Sequence, residues 1–234
     1  MGTVTNNFLK MFRNGNGGNG SHRDAQHRAQ RHSTALNEFM RAIAHEDSLC
    51  ILDLGPTSAN NIALLTGRGF QVYTEDLLTS AGDPALVIKD EFGATCIDVD
   101  GFLKENLAFR GQKFDAVLLW DVADYLPEVL VKPVIERICS VMKPKGILLS
   151  FFHTRDAGPE APYCRYHIAG QDSLELQLVP KNESNGHSNG NGDERHYRLQ
   201  RVFNNRHIEN LFREFASLKF FLARDNLREV LVVR

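Results

Sequence analysis

The stretch from Cys50 to Asn61 constrains this chain more than any other. An apolar run, Cys50-Ile51-Leu52, ends at Asp53, and Leu54-Gly55-Pro56 turns the chain before Thr57 and Ser58, either of which can cap a helix. A continuous apolar strand that passes at once into a helix is the opening of a βαβ unit whose sheet is covered on both faces. Gly55 carries no side chain, so the turn can be tight and a ligand can approach its backbone closely. The next unit repeats the logic, because Gln71-Val72-Tyr73 runs into Glu75-Asp76.

The alternation continues. Ile62, Ala63 and Leu65 pack the first helix down, Gly67 or Gly69 ends it, and Phe70–Thr74 follows as a second strand. Asp83-Pro84 pairs a cap with a first-turn proline and predicts a helix from Pro84 to about Phe92. Thr95–Val99 reads as a short third strand, Gly101–Leu107 as a helical crossover, and Phe114–Trp120 as the clearest strand of all. Leu130, Val134, Ile135, Ile138 and Val141 recur at helical spacing until Pro144 and Gly146 stop them before a fifth strand, Ile147–Phe152. Upstream, Leu36, Phe39, Met40 and Ile43 mark one face of a helix expected from Asp24 to about Ala44. The pattern predicts an α/β fold: a Rossmann-like, mostly parallel sheet with ligands outside the carboxyl ends of the strands.

After Phe152 the rhythm breaks. Ser173–Val179 and His196–Phe203 alternate apolar and polar residues, as strands of a half-exposed hairpin do. Residues 156–203 therefore read as an inserted β-hairpin able to cover the pocket, with a polar tip, 181–195, expected to be mobile. Asn204 caps a helix to about Phe215, and Leu218–Leu222 and Glu229–Val233 form a closing hairpin. The tract Asn14–Gly20 has nothing to bury, so residues 1–20 read as a disordered tail and 21–234 as a single domain.

Charge and cysteine usage narrow the partners. A formal net charge of -2 gives no electrostatic reason to expect nucleic acid. No apolar run approaches the roughly 20 residues that span a bilayer, and no secretion signal is evident. Met1-Gly2 has Asn6 where a myristoylation site needs Ser or Thr. Cys50, Cys96, Cys139 and Cys164 form no CxxC pair; Cys50, Cys96 and Cys139 fall in expected core segments and read as reduced, buried small hydrophobes, and the cytoplasm is the default location. His22, His27 and His32 stand five apart, off one helical face, so no metal site is expected.

The strand ends carry the candidate site: Asp53 and Gly55, Glu75 and Asp76, Asp98 and Asp100 around Val99, Trp120 and Asp121, and His153. A carboxylate about 20 residues beyond the glycine turn can take both hydroxyls of a ribose. One of Glu75 and Asp76 fills that place and the other is solvated. An adenine needs an apolar slot with a few polar anchors, and Asp98 or Asp100 with the backbone beside Val99 stand where these would be. Asp98 suits a helix cap equally well.

These stretches together resemble the class I S-adenosylmethionine-dependent methyltransferases over about residues 35–155 and again over 204–234. The resemblance rests on Ile51-Leu52-Asp53-Leu54-Gly55, on Val72-Tyr73-Thr74-Glu75-Asp76, on Phe114–Val122 with Tyr125-Leu126-Pro127, and on Met142-Lys143-Pro144-Lys145-Gly146. It implies a seven-stranded sheet with an antiparallel final strand, and it selects Asp76 as the ribose acid. It also implies S-adenosylmethionine as cofactor, held by Asp53, Gly55, Thr57, Asp76, Asp98, Val99, Trp120 and Asp121. The first motif departs from the family pattern: Thr57 and Ala59 stand where further small residues follow the glycine. The activity implied is methyl transfer to a small-molecule or protein acceptor. The alternative is a non-catalytic relative that has lost its cofactor and serves protein interaction. His153 is one possible base, Asp121 and Tyr125 can position an acceptor, and Tyr163 or Tyr166 can line its pocket.

Overall fold

Phe114–Trp120 is apolar at every position except Asp115, and it forms the buried middle of the main sheet. The computed structural model describes residues 28–154, 163–179, 198–222 and 225–234. In chain order, β1 (Arg28–His32) and α1 (Thr34–Ala42) precede β2 (Cys50–Asp53), α2 (Ala59–Thr66) and β3 (Gln71–Thr74). Next come α3 (Leu77–Ala81), a 3-10 turn at Pro84–Leu86, β4 (Val87–Lys89), β5 (Thr95–Ile97) and α4 (Val99–Asn106). The strand described first is β6 (Phe114–Trp120), followed by α5 (Val122–Tyr125), α6 (Glu128–Val141) and β7 (Met142–His153). Then come β8 (Cys164–Ile168), β9 (Ser173–Leu178), α7 (Asn205–Leu211), β10 (Ser217–Phe221) and β11 (Leu227–Val233).

Among the described residues the main sheet has six strands in the order β10-β11-β7-β6-β2-β3. β2 runs parallel to β3 and β6, and β6 parallel to β7. The last strand, β11, runs antiparallel between β7 and β10. The sheet is thus mixed, and it has six strands where seven were expected. The strand near Thr95 forms but does not join it. β5 pairs antiparallel with β4, and the helix expected from Pro84 to Phe92 is a single 3-10 turn followed by β4. A local turn explains this: the Asp90 carboxylate accepts from the amides of Phe92 and Ala94, and Gly93 takes a φ of 79°. A hairpin closed by its own turn forms without the long-range pairing that the main sheet would demand.

The alternation of side chains divides the core. Leu52, Val117, Leu119 and Leu148 face one layer with residues of α4, α6 and α7. Ile51, Ala116, Leu118, Trp120, Leu149 and Phe151 face the other, with α1, α2 and a second sheet. That second sheet has three strands in the order β1-β9-β8. It corrects two expectations. Arg28–His32 is a strand and not the start of a helix, and α1 begins only at Thr34, after Ser33, whose Oγ accepts from the Leu36 amide at 3.0 Å. The inserted hairpin is formed by β8 and β9, and residues 199–203 are not a strand. The expected tail, 1–20, and the expected mobile tip, 181–195, lie outside the described residues, as do His22 and His27.

Charged groups tie the small sheet to the large one. Arg31, on the inward face of β1, pairs with Asp225 at 2.6 Å and with Glu229 of β11 at 2.7 Å. Glu229 also accepts from the Ala35 amide at 2.8 Å. Paired in this way, Arg31 and Glu229 can be buried among apolar neighbours. Among the described residues, no helix is long and apolar enough to cross a membrane.

Candidate functional site

The carboxyl ends of β2, β3 and β6 bring several expected residues together. Asp53 closes β2 and is 1% exposed. Glu75, just past β3, donates its amide to the Asp53 carbonyl at 2.9 Å, which holds the two strand ends in step. Ser58 caps α2, its Oγ accepting from the Asn61 amide at 3.1 Å. Gly55 and Pro56 are buried, whereas Thr57 projects from the turn and is exposed.

The space beside Gly55 is occupied. A Cβ built on Gly55 would lie 2.6 Å from Cδ1 of Trp120 and 3.2 Å from its Nε1. The indole N–H donates to Asp53 Oδ1 at 2.7 Å, and the ring is only 2% exposed. Trp120 takes a φ of 52°, a left-handed conformation that costs a bulky residue about 1–3 kcal/mol. On its other side it stacks on Tyr166 of β8, with ring centroids 5.2 Å apart and planes 4° from parallel. Tyr166 in turn donates its hydroxyl to Asp121 Oδ2 at 2.9 Å. Trp120 and Tyr166 therefore each hold one buried carboxylate.

Asn61, on the inward face of α2 four residues before Leu65, links this group to the small sheet. Its Nδ2 donates to the Tyr166 carbonyl at 2.9 Å and more weakly to Asp53 Oδ2 at 3.4 Å, and its Oδ1 accepts from the Ile168 amide at 2.7 Å. Ser58 Oγ also lies 2.7 Å from Nδ1 of His167, whose Nε2 lies 2.9 Å from Gln177 Oε1. Sequence reasoning did not assign Asn61, His167 or Asp124 to the site. The one available signal was the presence of Asn61 in the buried stripe of its helix.

Burial raises the acids. Asp53 is pushed up to about 6 by desolvation, against hydrogen bonds from Trp120, Asn61 and the Gly55 amide, and the charge of Asp76 adds to the rise. Asp121 is pushed up to about 7 by desolvation; His153 opposes the rise and Asp124 reinforces it. Asp121 Oδ1 and Asp124 Oδ1 are buried without a hydrogen-bond partner among the described residues. His153 Nδ1 stands 2.9 Å from Asp124 Oδ2, which also accepts the His153 amide at 2.6 Å. Burial acts to lower the His153 pKa, but the bond and charge of Asp124, with Asp121 and Asp225, more than offset it, so the net shift is upward. Tyr125 packs edge-on against His153 and at a tilt against Tyr163.

The remaining expected residues cap or begin helices beside the strand ends. Asp76 is half-buried beyond β3 and caps α3, accepting from the Thr79 amide at 3.1 Å. Asp98, also half-buried, caps α4 through the Gly101 amide at 2.8 Å, and Val99 is the first residue of that helix. Cys50, Cys96 and Cys139 are free thiols.

Residues 25–215 match the family model described as a methyltransferase domain. No curated protein matches the sequence. Among solved structures, the chain is similar to a Burkholderia thailandensis 1,6-didemethyltoxoflavin-N1-methyltransferase with 1,6-didemethyltoxoflavin and S-adenosylhomocysteine bound. That likeness has a TM-score of 0.43 at 13% identity, over 86% of this chain and 76% of that one. A Methanosarcina mazei S-adenosylmethionine-dependent methyltransferase is similar with a TM-score of 0.42 at 12% identity, over 83% and 95%. An O-methyltransferase family protein from Burkholderia thailandensis is similar with a TM-score of 0.42 at 16% identity, over 85% of this chain but only 47% of that one.

Proposed function

This chain belongs to the methyltransferase-domain family, and on that premise we propose that it is an S-adenosylmethionine-dependent methyltransferase acting on a small-molecule or protein acceptor. The observation that supports the reading is the convergence of Asp53, Gly55 and the Glu75-Asp76 pair at the carboxyl ends of adjacent parallel strands. In this reading the Asp76 carboxylate takes the ribose hydroxyls, and the Asp98-Val99 corner borders the base. These half-buried residues fit the nucleoside end of the cofactor. The amino-acid end does not fit the conformation described, because the Trp120 indole fills the space over Gly55 that the tail needs.

When bound, S-adenosylmethionine supplies an electrophilic methyl group. The protein's own contribution is alignment, together with a base where the acceptor must lose a proton. The His153–Asp124 pair is the proposed base: the carboxylate accepts from Nδ1 and fixes the ring, and the surrounding acids favour its protonated form. Tyr125 and Tyr163 are proposed to line the acceptor side.

Calorimetric titration with S-adenosylhomocysteine tests the reading. The Asp76→Asn variant is expected to bind about tenfold or more weakly than the wild type, the loss of a charge-assisted pair of hydrogen bonds. Unchanged affinity would remove Asp76 from the site. The non-catalytic alternative is what remains if the ligand binds neither the wild type nor a variant freed of the indole.

A further inference from the structure

We propose that Trp120 and Tyr166 form an aromatic gate over the Gly55 turn, and that a ligand tail enters only by displacing the indole from Asp53. The proposal rests on the methyltransferase reading and concerns the regulation of that same site.

Three independent observations carry it. The first is steric. The indole stands so close to Gly55 that even one added carbon would clash at 2.6 Å, so no tail can lie on the Cβ side of that backbone while the ring is in place. The second is chemical. The gate residues are hydrogen-bond donors that occupy two buried carboxylates, Trp120 N–H on Asp53 and Tyr166 O–H on Asp121. An entering ammonium or sulfonium tail offers those same acids a cation, so opening exchanges one set of partners for another and leaves no carboxylate stranded. Asp121 Oδ1, buried and without a partner among the described residues, has an acceptor in reserve for it. The third is conformational. Trp120 sits at a left-handed φ at the end of β6, where the pairing with β7 is irregular between Leu118 and Trp120. Strain of this kind persists only while surrounding contacts enforce it, here the pairing with Ser150 and its Oγ bond to the Trp120 carbonyl at 3.0 Å, together with the bond to Asp53 and the stack on Tyr166. Moving the indole off Gly55 gives up the two side-chain contacts, so the strained angle is then held by the backbone contacts alone.

The cost of opening appears as weakened binding. If the open form is one molecule in ten to one in a hundred, apparent affinity falls by roughly 10- to 100-fold relative to an ungated site. A variant without the ring recovers that factor.

The test uses the full chain, which contains one tryptophan, so the gate is its own reporter. S-adenosylhomocysteine is titrated while calorimetry follows binding and indole emission follows Trp120. Binding accompanied by a shift of emission to longer wavelength and easier quenching by acrylamide is the expected result. Binding with the emission unmoved overturns the gate and leaves the methyltransferase reading standing. Trp120→Ala and Trp120→Phe supply the second arm; the phenylalanine keeps an aromatic ring against Tyr166 but cannot donate to Asp53. An alanine variant that binds at least about tenfold more tightly than the wild type supports the gate, including the case in which the wild type shows no binding. Equal affinity in all three chains overturns it. If neither wild type nor variants bind, the gate and the methyltransferase reading fail together.

Discussion

At the scale of single residues, Gly55 and Trp120 decide what the first turn can hold. Glycine is required here for room, because the nearest obstacle to a side chain is the indole. Gly55→Ala should cost about 1–3 kcal/mol, the usual penalty for overpacking a core. In a Trp120→Ala background the same change should cost less than about 0.5 kcal/mol, since the obstacle is gone. Urea unfolding of the four chains checks both values, and an equal cost in the two backgrounds would locate the strain elsewhere. Reading the sequence put Asp53, Gly55, Trp120 and Asp121 at neighbouring strand ends, and they are there because strand period and crossover rules act locally. That Trp120 would turn inward onto Gly55 was not legible. It depends on a left-handed backbone angle and on Tyr166, which comes from a strand about 46 positions later whose placement no local pattern fixes.

At the scale of elements, the small sheet is held to α2 by Asn61 and by the contact of the capping Ser58 with His167. Asn61→Ala removes the bonds to the Tyr166 carbonyl and the Ile168 amide and leaves both to find other partners inside the protein. A cost of about 2–3 kcal/mol is expected, together with faster hydrogen exchange at the Ile168 amide than elsewhere in β8. A uniform change across β8 and β9 would mean that Asn61 stabilises the fold generally and does not pin this strand. The elements that sequence reading recovered, β2, β6 and α6, are those whose apolar residues follow one period over a whole segment. Those it misread have local reasons. β1 buries Arg31 on its inner face, and an arginine becomes an interior residue only through Asp225 and Glu229, far along the chain. β5 was expected in the main sheet, but Asp90 and Gly93 close it onto β4 first.

At the scale of the whole molecule, the buried acids and His153 tilt stability toward low pH. Asp53 and Asp121 hold their protons more tightly in the folded chain, up to about 6 and about 7, than in the unfolded one. Their contribution is therefore fully present below the unfolded carboxyl pKa and is lost as pH rises through those folded values. His153, also raised, contributes below its unfolded value and loses that contribution as pH climbs through its folded one. All three act in the same direction between about pH 4 and pH 8, and they titrate as one coupled set. Asp121→Asn should gain stability relative to the wild type on going from pH 5 to pH 8, by on the order of 2–4 kcal/mol. Thermal melts at the two pH values measure the difference; a constant offset between the chains would show that Asp121 is already ionised in the folded protein across this range.

The position of β11 has a consequence for biosynthesis. It is the latest of the six strands of the main sheet to leave the ribosome, yet it belongs between two that are already made. Until it is threaded in, the growing polypeptide presents the bare margin of β7 and an isolated β10, two sticky borders waiting for one insert. Chaperone dependence should therefore peak while β10 is made and β11 is not, and nascent chains arrested just short of residue 227 should be the form most prone to aggregate.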